Sequence, residues 1–315
     1  MGVHKILVTD DVHPLLIEGF ERAGYVCDYQ PNISNDEVLS VISGYEGLII
    51  NSKVLVDRKL LDAGVQLRFV GRLGSGMEIV DKVYAAERGV GVFSSPEGNC
   101  NAVAEHALGM MLALANNLIR ADAEVRRKVW RREANRGFEL RGKTIGIIGF
   151  GHTGKAFARK LEGMEMTILV YDKYAAPSPE WEGKVLTVSP EYIQANADII
   201  SFHLPLTTET KHLVNSDFIG SCQEGVIFVN TSRGQVVDTG ALVDGLELGK
   251  VGGACLDVFE NEKPATFTKR ESGLYKRLYR LPNVLLSPHI AGWTVESKRL
   301  LSEILLQKIL NGNKK

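Results

Sequence analysis

The sequence predicts an α/β protein of parallel, doubly wound sheets arranged in two domains. Three observations carry this expectation. Short apolar runs rich in β-branched residues alternate with helical stretches along most of the chain, the pattern of parallel strands joined by helices. The chain has 315 residues, too many for one ordinary core and enough for two domains. One run, TIGIIGFGHTG, passes from an apolar strand directly into a glycine-rich turn and a helix.

In the first series the expected strands are KILVTD, GLIIN and LRFVGR, with helices in HPLLIEGFERAG and NDEVLSVISG. A single long helix is expected over NAVAEHALGMMLALANNLIRADAEVRR, ending in the basic stretch VRRKVWRREANRG. The second strand series is TIGIIGF, TILVYD, ADIISFH, GVIFVN, VGGACLDV and NVLLSPH. A final helix, SKRLLSEILLQKIL, follows the last strand and is expected to return to the first domain. The expected division is therefore a discontinuous domain of residues 1–98 and 291–315, and a second domain of 99–290 that includes the long helical insertion. A chain that crosses over and comes back leaves a cleft between domains, where small ligands bind.

Composition narrows the function classes. The chain is 44% hydrophobic and 24% charged with a formal net charge of −1, which argues against a non-specific nucleic-acid binder. No apolar run has membrane-spanning length and no secretory leader is expected, so neither nucleic acid nor membrane is an expected partner. The four cysteines, Cys27, Cys100, Cys222 and Cys255, are scattered without metal-ligand spacing. They read as free thiols in a reducing, cytoplasmic setting, and no metal site is expected.

In TIGIIGFGHTG, the strand Ile145–Ile148 runs into Gly149, Gly151 and Gly154 in the pattern G-x-G-x-x-G. Alone, that pattern is as often an ordinary turn as a site. Here a strand precedes it and a helix follows, so each glycine has a purpose: the tight turn, the close approach of backbone to a pyrophosphate, and helix–strand packing. The next strand ends at Asp172, about 20 residues on, where an acid accepts bonds from ribose hydroxyls and repels a 2′-phosphate. The expected cofactor is NAD rather than NADP in a Rossmann-like domain, although Lys173 beside the acid works against that preference.

GVIFVNTSRGQ, residues 225–235, ends an apolar strand on Arg233. Asp257 and Glu262 follow the strand GGACL, and His289 follows NVLLSP. Each residue alone has a bland reading as a loop or turn residue. The C-terminal strand ends of an open sheet line its ligand crevice, so Arg233, Glu262 and His289 are expected to converge beside the cofactor. A guanidinium holds a carboxylate and the neighbouring carbonyl or hydroxyl. A histidine exchanges the hydroxyl proton, and a glutamate on its other ring nitrogen fixes the tautomer and favours imidazolium.

GFGHTG, HLPLTTET, VNTSRGQVVD, LDVFENEKP and SPHIAGW, in this order, resemble the blocks of the D-isomer-specific 2-hydroxyacid dehydrogenases over nearly the whole chain. The resemblance implies Arg233, Glu262 and His289 as the catalytic trio. It implies Asp257 beside the nicotinamide amide, and Gly149, Gly151, His152, Thr153, Gly154, Asp172, His203, Thr231 and Gly292 around the cofactor. It further implies a substrate-binding role for the discontinuous domain, a homodimer through the inserted helix, and interdomain closure. Within the family, VGRLGSGMEIVD and PEGNCNAVAEHALGMMLAL are most similar to the 3-phosphoglycerate dehydrogenase branch. That implies oxidation of 3-phosphoglycerate to 3-phosphohydroxypyruvate in serine biosynthesis, with amides around Gly74, Ser75 and Gly76 for the carboxylate and Arg72 for the phosphate. Asn51 stands where many such enzymes have Arg, with Lys53 two residues later as its candidate substitute. The chain stops after its last helix, so feedback by serine through a C-terminal regulatory domain is not expected. The alternatives are a glyoxylate, hydroxypyruvate or other 2-oxoacid reductase and, in another class, an NAD-sensing corepressor-like binding protein.

Overall fold

A computed structural model describes residues 4–174 and 178–312. The chain divides into one unit of Met1–Cys100 with Trp293–Lys315 and another of Asn101–Gly292. Every strand pairing within each of the two sheets is parallel.

In the first unit, strands β1 (Lys5–Val8), β2 (Val26–Tyr29), β3 (Gly47–Ile50), β4 (Phe69–Arg72) and β5 (Gly91–Ser94) lie in the order β2-β1-β3-β4-β5. Central β3 is buried at every position, as its continuous GLII run requires in a sheet covered on both faces. β2 and β5 lack such runs because they form the two edges, where burial is incomplete. Helices α1 (Pro14–Arg22), α2 (Asn35–Val41), α3 (Arg58–Ala63) and α4 (Lys82–Glu87) link the strands. Short polar residues start three of them. Ser34 and Glu37 form a reciprocal capping box, and Asp57 and Asp81 accept from amides of the first turn, satisfying donors that a helix start otherwise leaves open. The C-terminal helix, Val295–Gly312, places Leu305 and Ile309 among Ile6, Val8, Phe20 and Phe69. Lys308 Nζ fastens it further, donating to both carboxylate oxygens of Glu97 at 2.8 Å and to the Ser94 carbonyl at 2.9 Å.

The second unit opens with α5 (Cys100–Ala115) and α6 (Leu118–Arg126), which meet at 61°. The single long helix expected from the sequence is thus broken. Asn117 takes the left-handed conformation at φ 52°, which Asn tolerates better than most side chains. Its side-chain amide donates to the Arg136 carbonyl, while Asn116 donates to the Leu112 carbonyl at the end of α5. No single helix among the described residues is long and apolar enough to cross a membrane.

A seven-stranded sheet follows, made of β6 (Thr144–Ile148), β7 (Thr167–Tyr171), β8 (Leu186–Thr187), β9 (Ile199–Phe202), β10 (Val226–Asn230), β11 (Val251–Leu256) and β12 (Val284–Leu286). Their order is β12-β11-β10-β9-β6-β7-β8. Two-residue β8 is an exposed edge strand inside the short β-branched stretch KVLTV. The helices are α7 (His152–Leu161), α8 (Pro190–Asn196), α9 (Ser216–Ser221), α10 (Thr239–Glu247) and α11 (Lys269–Leu278). In α7, Phe157 and Leu161 turn inward, four residues apart on one face. The topology reverses direction between β6 and β9, so the C-terminal ends of these strands flank the switch point where such sheets bind ligands. All four cysteines are free; Cys222 and Cys255 are buried and Cys27 and Cys100 partly so.

Candidate active site

At the end of β6, Gly149 turns at φ +93°, and a Cβ there would stand 2.3 Å from the His203 carbonyl oxygen. A Cβ on Gly154 would stand 2.1 Å from the Gly149 carbonyl oxygen, so both positions require glycine to let helix α7 close on the strand. Gly151 is different: space beside it is open, and as the residue before α7 it provides no side-chain cap. The start of α7, with exposed His152 and then Thr153, is thereby open to an anion, as a pyrophosphate site needs. Asp172 reaches this turn directly. Its carboxylate accepts from the Phe150 amide and the Tyr174 amide, at 2.8 and 2.9 Å. The acid thus braces the glycine turn that it would share with a ribose.

Among the described residues, three buried polar atoms of the same unit lack a protein partner: Trp181 Nε1, and, at the β9 and β10 ends, His203 Nδ1 and Thr231 Oγ1. Buried polar groups are normally satisfied, so the His203 and Thr231 atoms suit a polar ligand beyond the β9 and β10 ends. The other nitrogen of His203 pairs with Ser201 Oγ at 2.9 Å. Burial pushes this imidazole down to about 4, so it is a neutral hydrogen-bonding group at physiological pH. Open space at Gly151, the Asp172 brace and these orphaned atoms fit a dinucleotide.

Asn230 builds the turn that carries Arg233. Its side-chain oxygen accepts from the Ser232 amide and hydroxyl, and its side-chain nitrogen donates to the Arg233 carbonyl. Gly234 then packs against the loop after β11 so closely that a Cβ would lie 1.9 Å from Phe259 backbone. Only glycine permits that approach, which draws the Arg233 loop to the loop of Glu262. A second pair secures the contact: His212 Nε2 and Glu260 Oε1 lie 2.6 Å apart, and Glu260 also accepts from the Thr239 amide.

His289 Nδ1 and Glu262 Oε2 lie 2.9 Å apart, with both side chains roughly half exposed. Burial opposes ionisation of Glu262. The hydrogen bond and charge of His289, the Phe259 amide and the charge of Arg233 outweigh it and hold the carboxyl below its usual range. Glu262 is therefore a carboxylate at neutral pH, and the fixed Nδ1 contact leaves Nε2 for proton exchange.

Asp257 is fully buried, and its carboxylate is engaged by the turn that carries His289. It accepts from Ser287 Oγ at 2.6 Å, from the Ile290 amide at 2.9 Å and from the Ala291 amide at 2.8 Å. Its carbonyl oxygen accepts from the His289 amide at 2.7 Å. Asp257 thereby wraps the 287–291 turn around itself and holds His289 at φ 56°, a strained conformation for a non-glycine residue. Gly292 follows this turn. His106 of α5 completes the cluster, with Nε2 at 2.9 Å from Ser287 Oγ and 3.6 Å from Asp257. Sequence reasoning missed His106 and Ser287. One is a histidine in an apolar helix and the other a serine before a proline, and neither spacing signals the contact.

The expected substrate residues belong to the first unit. Arg72 ends β4 and donates from Nε to the Asn51 carbonyl at 3.2 Å, with its guanidinium lying over Gly74. Gly74 and Gly76 are buried and Ser75 is exposed. Asn51 is anchored through its amide to Asp10 at 2.8 Å. Lys53 Nζ is turned to the Pro31 carbonyl at 2.5 Å, so in this arrangement its ammonium does not join Arg72.

Asp257→Asn is expected to put an amide NH₂ where a backbone donor now points. Leaving buried donors unmatched costs about 1–3 kcal/mol. Chemical unfolding should detect this loss of stability, with kcat falling more than KM because His289 loses its anchor. Native stability and native kcat in the Asp257→Asn variant would remove Asp257 from the positioning of His289.

A family model for the D-isomer specific 2-hydroxyacid dehydrogenase, NAD binding domain, matches residues 108–291. The chain is 33% identical over 307 residues to a D-3-phosphoglycerate dehydrogenase of Archaeoglobus fulgidus, covering 98% of this chain and 57% of the relative. It is 36% identical over 278 residues to a hydroxypyruvate reductase of Thermotoga maritima, covering 88% of each. The chain thus spans little more than half the length of the curated phosphoglycerate dehydrogenase it resembles, and most of the reductase. The crystal structure of a glyoxylate reductase from Paecilomyes thermophila superposes with a TM-score of 0.88 at 25% identity, over 100% of this chain and 97% of that one. The matched domain makes NAD the cofactor. From the glycine turn to the His289 loop, this is a chain that belongs to the D-isomer-specific 2-hydroxyacid dehydrogenases.

Proposed function

We propose that the protein interconverts a D-2-hydroxy acid and its 2-oxo acid, with 3-phosphoglycerate as the hydroxy acid and serine biosynthesis as its setting. The observation that carries the reading is the 2.9 Å His289–Glu262 contact on the same strand-end surface as Arg233. Bound NAD would accept or return the hydride. Arg233 is assigned to the substrate carboxylate and its neighbouring oxygen, because a planar fork matches both. His289 Nε2 takes the hydroxyl proton during oxidation and returns it during reduction, while Glu262 orients the ring and stabilises its protonated form.

Arg72, lying over Gly74 in the carboxylate-suited loop, is assigned to the phosphate. The second reading, reduction of hydroxypyruvate, is favoured by the Thermotoga maritima relative, which matches 88% of both chains, and by the engagement of Lys53 with Pro31. We assign homodimer formation to the α5–α6 segment, in which α6 leaves Leu118, Ile119 and Val125 exposed and Trp130 is exposed just beyond it, apolar side chains that a two-fold contact would bury. Sedimentation at micromolar concentration should give twice the chain mass; a monomer would remove this assignment.

NADH turnover with a panel of phosphorylated and unphosphorylated acids tests the substrate. Arg72→Ala should raise KM for 3-phosphoglycerate far more than KM for hydroxypyruvate, since a phosphate contact acts through binding. Equal losses would make Arg72 structural.

His289→Ala should lower kcat by about 10²–10⁴-fold with NADH binding retained. In Glu262→Gln the neutral amide no longer raises the proton affinity of His289, so imidazolium persists only to lower pH. The basic limb of carbonyl reduction should move toward acid, and an unchanged pH profile would dissolve the pair.

A further inference from the structure

Lys173 raises a problem for a chain that uses NAD. It follows Asp172, the acid suited to the ribose, and a cation at that position is what a 2′-phosphate seeks. The structure shows where that cation goes. Lys173 Nζ lies 2.5 Å from Glu209 Oε2, and its ammonium also lies 5.7 Å from the centre of the Tyr174 ring. Glu209 belongs to the loop after β9, and Lys173 follows β7. In the sheet β6 lies between these two strands, so the ion pair spans the C-terminal end of β6 where the glycine turn begins. The loop bearing Glu209 is itself folded tightly: the Thr207 amide donates to Thr210 Oγ1 at 2.8 Å, and that hydroxyl donates to the Pro205 carbonyl at 2.6 Å.

Both members of the pair are more than half exposed, so the pair adds little to stability. Its consequence is electrostatic. Paired with Glu209, Lys173 presents no net positive charge to the ribose. An incoming 2′-phosphate must separate the pair before it can use the ammonium, so the lysine's attraction for it is offset by the bond it already makes.

We propose that Glu209 is a cofactor-specificity residue: by holding Lys173 it prevents that lysine from accepting the 2′-phosphate of NADP. The inference rests on the assignment of Asp172 to the ribose and extends it to a residue of a different strand-end loop. Glu209 acts through Lys173, so its effect must disappear when Lys173 loses its charge.

The test is equilibrium binding of NADH and NADPH to the full chain, read by nicotinamide fluorescence and independent of any substrate. Wild type should bind NADH more tightly. Glu209→Gln should lower the ratio Kd(NADPH)/Kd(NADH) by roughly three- to tenfold, and less at high salt. Lys173→Met together with Glu209→Gln should return the ratio toward the wild-type value. A Glu209→Gln ratio equal to wild type, or a gain that survives in the double variant, overturns the role of Glu209. A wild type that binds NADPH as tightly as NADH instead overturns the reading of Asp172, which separates the two failures.

Discussion

The geometry of the second unit's candidate site depends on one buried carboxylate. Asp257 stands at the end of β11 with no exposure, where an ion is tolerated only if its lone pairs are matched. It is matched by a serine hydroxyl and two backbone amides from a single turn. That turn carries His289 in a conformation it would otherwise avoid. The strain on the histidine and the desolvation of the aspartate are therefore offset by the same set of bonds.

The same device recurs at the other strand ends. Asn230 folds its own turn so that Arg233 leaves β10 in a defined direction, and Gly234 lets that turn rest on the Phe259 backbone. Asp172 braces the glycine turn through the Phe150 amide. In each case a polar residue at or just past the end of a parallel strand commits its side chain to backbone donors or acceptors, because strand ends are where backbone partners run out. Rigid supports of this kind are what a site needs if its reacting groups are to be held to within a fraction of an ångström.

Charge is handled differently from hydrogen bonding. Glu262 keeps its carboxylate because His289 and Arg233 stand near it, whereas His203 is driven neutral by burial alone. One imidazole thus stands half exposed against a carboxylate, while another at the strand ends of the same sheet is kept neutral by burial. Opposed environments for like groups are a recurrent mark of acid–base sites.

The sequence by itself determined the parallel α/β class, and it singled out the glycine turn, Asp172, and Arg233, Glu262 and His289 as candidates. These are local signals: apolar runs of strand length, glycines at positions that backbone geometry demands, and polar residues placed immediately after strands. Edge strands β2, β5 and β8 are faint in the sequence because an edge does not need a continuous apolar run, and the break at Asn117 is marked only by the pair Asn116 and Asn117 between two helical stretches. Only the tertiary structure decided that Asp257 is an internal brace, that His106 and Ser287 join it, that Lys53 turns to Pro31 and that Lys173 is held by Glu209. Each of these is a contact between residues 22 to 181 positions apart, and no periodicity in a chain records which loops the packing of a sheet will bring together.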